Sequence, residues 1–507
     1  YWFALKAYDN VGFVSELSNC ICIKTLDYYV WDDSLEPSPD YYWDPANKTV
    51  VIVQFKEIKY TEIRLRGNLY VKNDATFKLT KVLFVIECTG TEPYSIQVAP
   101  GPEWLRGGVF WVVYSNVTAL YPQYPYLFKA WPNSAFWLDY SSMNYCSGNI
   151  SNIGEGIEID SSDVWIANST ITHSKGIFIR DSLPRQAQPK IIDSELRDNV
   201  YGVVIIPRIA LSQQLPLNLI NTRICNSEEA GLYADGAKVG LDSCWFIENT
   251  HGVIYNNIPL DLPPDPYNVS GRVYHCKFES NAYAITVKNS FLKAIATWFT
   301  NNTHLTNADI QRSTFHSAIY LENSSVEFVD NCKFANNAYS KFDRLNITDP
   351  LISTICCKNS TLNIANSNFS NNNGIDFNEV NIWNYIVAEQ SVSTLLEGLT
   401  TTLHFELSNV TITNSNFTDN GYPFSAVSSF YIMSFTAELV GASEEERIPI
   451  KERISGEYPV SNLLGMPIHY SLISGYSTEL NLLSITDSDF YRNLQGILCI
   501  GMPVVFN

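Results

Sequence analysis

The sequence predicts an all-β solenoid, in which short parallel strands coil around one elongated core. The first observation is a phrase, ITNSNFTDNG (412–421), whose order of apolar, polar, aromatic and Asn positions recurs along the chain. The second is a short strand of alternating apolar residues that follows each phrase, which is the period-two signature of a β-strand. Where insertions are absent the repeat spacing is about 20 to 28 residues, within the range of solenoid repeats. The phrase returns as IIDSELRDNVYG (191–202), LDSCWFIENTHG (241–252), YHCKFESNA (274–282), VDNCKFANNA (329–338), IANSNFSNNNG (364–374) and ITDSDFYRNLQG (485–496).

The aromatic position of the phrase should form a column through the core. Successive coils of a parallel β-helix stack at the strand spacing of roughly 4.8 Å, so one sequence position lies above itself in every coil. The Asn of the phrase can form an amide ladder along the same stack. The predicted column has aliphatic residues in the early coils and Phe in the later ones: Ile171, Leu196, Ile224, Phe246, Phe278, Phe334, Phe369, Phe417 and Phe490.

The strand after each phrase reads Gly or Ala, then Ile-x-Ile, as in GIEID (156–160), GIFIR (176–180) and GIDFN (374–378). Gly and Asn before it are turn residues that can take positive φ. The last position of this strand should face outward and stack from coil to coil. That outward column comprises Asp160, Arg180, Ile206, Asp235, Asn256, Lys288, Glu322 and Asn378.

These repeats resemble the right-handed parallel β-helix, or pectin-lyase-like, superfamily over residues 48–507. RLRGNLYVKNDATFKLTKVLFVIEC (64–88) is similar to the first coils of such helices. Two stretches interrupt the rhythm, near 379–408 and 422–480, and are predicted to be insertions.

The first 26 residues differ from the repeats and resemble the last two strands of a fibronectin type III domain, which predicts a partial β-sandwich at the N-terminus. Residues 27–47 are rich in Pro and Asp and are predicted to be a linker. Because the chain begins at Tyr1 and ends in an apolar run, we expect it to be a segment of a longer polypeptide. The fibronectin-like positions are Tyr1, Phe3, Ala7, Asp9, Gly12 and Ser15 through Asn19.

Composition excludes several classes of function. The 507 residues carry a formal net charge of −19 and no cluster of Lys and Arg, so nucleic-acid binding is not expected. No apolar run of about 18 residues predicts a membrane span. Neither the eleven Cys nor the seven His show the spacing of a metal site, and no cofactor is predicted.

One group of charges is the best candidate for catalysis. Glu158 and Asp160 share a strand face, Arg180 should lie one coil above Asp160, and Asp181 follows it. Many members of the superfamily cleave polysaccharides, and glycosidases require paired carboxylates. The Asn-Thr-Asp, Asp-Asp and Gly-His-Gly motifs that the resemblance to polygalacturonase-like hydrolases would require are missing. An ion pair on a solvated sheet explains the same residues, and favours a chain without catalytic activity.

Cysteine and asparagine suggest covalent features. Cys244 and Cys276 lie two residues before the Phe position of neighbouring coils, where they can form a disulfide or belong to a buried ladder of small side chains. Twelve Asn-x-Ser/Thr sequons suggest glycosylation of an exported protein, with Asn368 and Asn416 expected to be partly buried. The glycosylation candidates are Asn47, Asn116, Asn149, Asn168, Asn268, Asn301, Asn323, Asn346, Asn359 and Asn409.

Three functions remain open from the sequence. The first is a non-catalytic structural or adhesive protein of the cell surface, a stiff rod of roughly 14–18 coils that self-associates into a filament, sheath or layer through its open end. The second is an extracellular polysaccharide lyase or glycoside hydrolase that uses the Glu158 group. The third is a glycan-binding protein, similar to a viral tail spike, that uses exposed aromatic residues. All three predict an extracellular location.

Overall fold

The described part of the chain consists of strands and contains no helix. No helix there could cross a membrane. The computed structural model describes residues 2–3, 21–22, 28–89, 93–101, 107–147, 156–161, 163–180, 189–207, 216–258, 271–303, 315–338, 340–341, 351–372, 375–376, 400–420, 470–476, 482–491, 497–500 and 504–506.

Three long sheets wind around one core and form a right-handed parallel β-helix, which confirms the predicted fold class. Every pairing within the three sheets is parallel except the first pairing of sheet 2. Sheet 1 contains Tyr28–Trp31, Glu62–Leu65, Leu83–Ile86, Asn116–Ala119, Ser142–Asn144, Thr170–Thr172, Glu195–Arg197, Arg223–Cys225, Trp245–Ile247, Lys277–Glu279, Trp298–Thr300, Lys333–Ala335, Asn368–Ser370, Asn416–Thr418 and Asp489–Tyr491.

Sheet 2 follows sheet 1 in each coil. It contains Tyr41–Asp44, Thr49–Ile52, Asn68–Val71, Ser95–Val98, Leu127–Ala130, Ile157–Ile159, Ile177–Ile179, Tyr201–Ile205, Ala230–Asp235, His251–Asn256, Tyr283–Lys288, Phe315–Glu322, Leu351–Lys358, Thr400–Glu406, Tyr470–Tyr476 and Ile497–Ile500.

Sheet 3 completes each coil. It contains Phe55–Lys59, Thr76–Thr80, Val109–Val113, Ala135–Asp139, Asp163–Ala167, Lys190–Ile192, Leu217–Ile220, Val239–Asp242, Arg272–Tyr274, Phe291–Ile295, Ser325–Val329, Thr361–Ala365, Asn409–Thr413, Leu483–Thr486 and Val504–Phe506.

The predicted aromatic column lies on the inner side of sheet 1, in the predicted register from Ile171 to Phe490. Phe299 also belongs to it, between Phe278 and Phe334. Successive Phe rings stack nearly parallel, with centroids 4.2 to 5.1 Å apart from Phe246 to Phe490. Offset stacking of this kind adds to the free energy gained by burying each ring.

Two ladders of buried side chains supply hydrogen bonds just before and just after the strands of sheet 1. At its end the predicted amide ladder is present: each Asn side chain donates to the Asn of the next coil, as Asn337 Nδ2 donates to Asn372 Oδ1 at 3.0 Å. Before its strands a ladder of small side chains accepts backbone N–H groups, as Ser141 Oγ accepts from the Ser115 N–H at 3.0 Å. Buried polar groups are therefore paired from coil to coil. The amide ladder comprises Asn249, Asn281, Asn302, Asn337, Asn372 and Asn420.

The predicted linker 27–47 is instead part of the β-helix. Tyr28–Trp31 pairs with the first full strand of sheet 1, and Tyr41–Asp44 pairs antiparallel with Thr49–Ile52. The physical reason is the aromatic content of this segment. Trp31 is 5% exposed and stacks on Tyr41 with a centroid distance of 5.6 Å. Solenoids need such a cap, since the end of the core would otherwise meet water.

Both predicted insertions contain strands of the helix, Thr400–Glu406 and Tyr470–Tyr476, which pair with each other in sheet 2. GIDFN (374–378) was expected to supply a core strand, but its Ile375–Asp376 pairs with Ser340–Lys341 in a separate two-stranded sheet. Sheet 2 uses Thr400–Glu406 in that coil, after Leu351–Lys358 in the preceding one. Asn378 lies outside the described residues, and Lys358 follows Glu322 in the outward column.

Of the first 26 residues the structure describes one pairing, Trp2–Phe3 antiparallel to Ile21–Cys22. The fibronectin-like segment therefore stays a prediction, as does membership of the pectin-lyase-like superfamily.

Candidate functional site

The charged residues singled out in the sequence meet on the outer side of sheet 2. Glu158 lies in Ile157–Ile159, and Lys129 stands directly opposite it in Leu127–Ala130. The Asp160 N–H donates to Ala130 O, and the Arg180 N–H donates to Ile159 O, so Arg180 lies one coil above Asp160 as predicted. Asp181 lies outside the described residues. The group Lys129, Glu158, Asp160 and Arg180 is called the charge cluster below.

Lys129 is the centre of the charge cluster. Its Nζ lies 2.5 Å from Glu158 Oε1 and 2.7 Å from Asp160 Oδ2, and 4.9 Å from the centre of the Trp131 ring. Arg180 Nη1 lies 3.2 Å from the same Glu158 oxygen. Two cations therefore balance two carboxylates, and each carboxylate contacts Lys129.

Burial distinguishes this cluster from the solvated ion pair expected from the sequence. Lys129, Glu158 and Asp160 are 3 to 4% exposed, whereas the Arg180 side chain is 31% exposed. Glu158 Oε2 is buried and has no hydrogen-bond partner among the described residues. Burying charges is costly unless they are paired, and Lys129 is the cation that contacts both buried carboxylates.

Sequence reasoning missed Lys129. It lies in YLFKAW (126–131), a run whose strand Leu127–Ala130 is buried throughout. A lone cation inside an apolar strand is rarely unpaired, and the outward column already placed Asp160 nearby. These two observations together could have identified it.

A second feature, on the outer side of sheet 3, consists of aromatic rings. Trp111, Trp137 and Trp165 lie side by side, in register, on three adjacent strands of sheet 3. Trp111 and Trp137 lie edge to face at 5.4 Å, and Trp165 is 41% exposed. The three side chains form one column along the helix axis, roughly 10 Å long at two rungs, in which Trp111 and Trp137 are half-buried.

Tyr114 and Tyr140 extend this surface. They occupy the left-handed turn after the Trp111 and Trp137 strands, at φ of 48° and 45°. Their rings stack at 4.9 Å and remain 54% and 50% exposed. The five rings of Trp111, Trp137, Trp165, Tyr114 and Tyr140 are called the aromatic strip below.

Polar contacts hold the aromatic strip in place. Trp137 Nε1 donates to Asp163 Oδ1 at 2.8 Å, and Lys78 Nζ lies 4.1 Å from the centre of the Trp111 ring. Rings fixed in this way lose little conformational entropy when a ligand binds. The sequence contains the signal as VFWVVY (109–114) and AFWLDY (135–140), followed by DVWIA (163–167), and alignment of these three would have found the strip.

The cysteines of the candidate disulfide are free. Cys244 and Cys276 are both buried, and the Cys244 N–H donates to Cys276 Sγ at 3.4 Å. The Cys276 thiol donates to Tyr274 O at 3.3 Å, and burial raises its pKa well above the usual thiol range. The structure thus places both thiols in the ladder of small side chains.

Sequon asparagines are mostly at the surface. Asn368 and Asn416 are exposed, contrary to expectation, because they flank the inward Phe position and so point outward. Asn359 Nδ2 donates to Asn323 Oδ1 at 2.8 Å, in a ladder of exposed amides. Asn149, Asn268 and Asn346 lie outside the described residues. The other exposed candidates are Asn47, Asn168 and Asn409, while Asn116 and Asn301 are half-buried.

Within the described ranges, no group of three or more His, Cys, Asp or Glu side chains lies close enough to hold a metal ion.

Comparison with known proteins gives little guidance. No family model matches the chain, and no curated protein matches it. Among solved structures, the chain is similar to the periplasmic alginate epimerase AlgG, with 10% identity, a TM-score of 0.25, and coverage of 95% of this chain and 83% of that one. A variant of AlgG gives 9% identity and a TM-score of 0.22, covering 95% and 83%. Similarity at this level supports no conclusion about activity.

Proposed function

We propose that the protein is an extracellular polysaccharide-binding β-helix, and that the aromatic strip is its glycan platform. The observation that carries the proposal is the register of Trp111, Trp137 and Trp165 on adjacent strands of sheet 3. The C–H faces of sugar rings stack on indole and phenol rings, which combine an apolar face with a polar edge. A polymer lying along the helix axis would meet one ring at each rung.

Two further observations support this function. The strip is the outer surface of a rigid sheet, so it is formed before any ligand arrives. Asn47, Asn168 and Asn409 are exposed sequon residues, which suits a protein that passes through a secretory route.

The experiment is affinity electrophoresis of the full chain through gels that contain one soluble polysaccharide each: β-glucan, mannan, xylan, polygalacturonate or alginate. We expect retardation in at least one gel, and weaker retardation of Trp137→Ala. Trp298→Ala is the matched control, because Trp298 is 47% exposed on sheet 1, where Lys277 separates it from Trp245. Absence of retardation in every gel, or equal loss in both variants, would overturn the proposal.

A second candidate function is polysaccharide cleavage at the charge cluster. Glu158 Oε1 and Asp160 Oδ2 both contact Lys129 Nζ, so these oxygens are at most about 5.2 Å apart. Retaining glycosidases place their two carboxyl groups roughly 5 to 5.5 Å apart. Release of reducing or unsaturated ends that Asp160→Asn abolishes, without loss of gel retardation, would support cleavage.

The prediction of a self-associating structural subunit rests on an open end of the helix, for which residues 1–26 are one candidate pairing partner. Most of that segment lies outside the described residues, so filament formation stays a prediction.

A further inference from the structure

Further along the outer side of sheet 3, the column that contains the three Trp residues passes through a depression. In register after Trp165 come Lys190, Asn218, Gly240 and Arg272. Gly240 has no side chain, and the gap it leaves between Asn218 and Arg272 has a volume of about 160 Å³. Gly240, at the centre of the depression, lies roughly 14 Å, or three rungs, from Trp165. A polymer that lies on the aromatic strip would therefore reach it without a change of direction.

The walls of the depression offer both apolar surface and hydrogen bonds. Ile220 and Tyr274 supply apolar surface, and Asn218, Asp242 and Arg272 supply polar groups. The Arg272 guanidinium lies 4.8 Å from the centre of the Tyr274 ring, which holds it at one side. Arg272 Nε is buried without a hydrogen-bond partner among the described residues. A buried donor of this kind costs free energy unless a ligand satisfies it.

We propose that this depression is a subsite for one uncharged sugar ring of the bound polysaccharide. The inference rests on the proposed function and adds a substrate class to it. A pyranose ring has an apolar face and a rim of hydroxyl groups, which match Tyr274 and the three polar side chains. Arg272 and Asp242, one cation and one carboxylate, both line the depression, so its lining has no net charge and a neutral sugar fits better than a uronate.

The test fills the depression and leaves the strip intact. Gly240 lies in an extended strand and faces outward, so Gly240→Val adds a side chain where β-branched residues are favoured. The matched control is Asn363→Leu, in the same outward column four coils further on. Both variants and the wild type are run in the β-glucan, mannan, xylan, polygalacturonate and alginate gels, and unfolding temperatures confirm that each variant folds.

We expect the wild type to be retarded most in a neutral gel, with the apparent dissociation constant of Gly240→Val raised about tenfold and that of Asn363→Leu unchanged. Asn218→Ala, which keeps the depression open, should raise it less than Gly240→Val. Two results would overturn the subsite while the glycan platform stands: unchanged retardation of Gly240→Val alongside loss in Trp137→Ala, or retardation of the wild type in the two uronate gels alone. If the wild type is not retarded in any gel, the platform and the subsite both fail.

Discussion

The charge cluster and the aromatic strip lie in the same coils, on neighbouring sheets, with opposite relations to solvent. Lys129 and Trp137 are eight positions apart in one coil, yet the cation is 4% exposed while the indole is half-buried, and the next ring of its strip, Trp165, is 41% exposed. Both point away from the core of the helix. The outer side of this solenoid is therefore not uniformly a solvated polar surface, because outward-facing columns on neighbouring sheets differ in exposure.

The difference suggests a division of roles. Ionic groups that are buried and mutually paired stabilise or orient, because their charges already have partners. Aromatic rings that stay exposed on a rigid sheet keep their binding surface available for a partner. The variants described next separate these roles, beginning with the largest expected effect.

Removing the central cation should give the greatest loss of stability. In Lys129→Met two carboxylates remain at a buried site without the cation that contacts both, and we expect the free energy of unfolding to fall by about 3–5 kcal/mol. Urea unfolding of purified protein measures it. A triple change that also removes the carboxylates, Lys129→Met with Glu158→Gln and Asp160→Asn, should recover part of the loss. A fall of less than about 1 kcal/mol in Lys129→Met would show that the cluster is solvated after all.

His251, also on sheet 2, provides a second test of desolvation through the pH dependence of stability. His251 stacks on Tyr283 at 4.6 Å, and burial, together with the charge of Lys288, lowers its pKa to about 4. The unfolded chain, with an ordinary His pKa near 6.5, binds more protons between these values, so stability should fall as the pH drops from about 6.5 to about 4 and level off below. The loss attributable to His251 should be roughly 3 kcal/mol.

His251→Phe keeps the ring contact and removes the titration. Unfolding stabilities of wild type and variant, measured at half-unit pH steps, should run parallel above about pH 6.5, and the wild type should lose stability relative to the variant as the pH falls to about 4. Parallel curves across the whole range would contradict a desolvated His251.

A single ring of the strip should affect binding without affecting folding. In Trp137→Ala, loss of one stacking surface should weaken polysaccharide binding roughly 2- to 10-fold, equivalent to about 0.5–1.5 kcal/mol. Trp137→Phe should retain most of the affinity. Calorimetric titration with the polysaccharide that retards the wild type measures both, and a Phe variant as weak as the Ala variant would argue against stacking.

Arg180, the exposed member of the charge cluster, should contribute least to the free energy of unfolding. Arg180→Gln removes a pair whose cationic partner is 31% exposed, and we expect a change of about 1 kcal/mol or less. The same urea titration measures it. A loss as large as that of Lys129→Met would show that Arg180 contributes as much as Lys129 to stabilising the buried carboxylates.

The sequence predicts the stack well because each coil repeats one pattern. The inward column from Ile171 to Phe490 follows from alternation and repeat spacing alone, and the amide ladder follows from the recurring Asn. Prediction fails where composition and packing disagree: residues 27–47 contain the Pro and Asp of a linker, but their aromatic side chains cover the end of the core. GIDFN (374–378) fails for a related reason, since a short apolar strand can pair outside the helix.

The candidate sites were less predictable. Alternation shows that Glu158 and Asp160 share an outer face, but it cannot show whether that face meets water, so Lys129 was overlooked and the cluster was expected to be solvated. The aromatic strip was within reach of the sequence, because its Trp residues recur at the repeat spacing. The Gly240 depression was not, because it depends on which residues flank a missing side chain in the neighbouring coils.

The central claim is that the aromatic strip binds polysaccharide, and removing the whole strip of indoles tests it most directly. The measurement is affinity electrophoresis of Trp111→Ala/Trp137→Ala/Trp165→Ala beside Trp245→Ala/Trp298→Ala, which removes exposed Trp residues from sheet 1 instead. We predict at least a tenfold loss of affinity in the first variant and an unchanged affinity in the second, with both chains folded. Unchanged retardation of the triple variant would contradict the account.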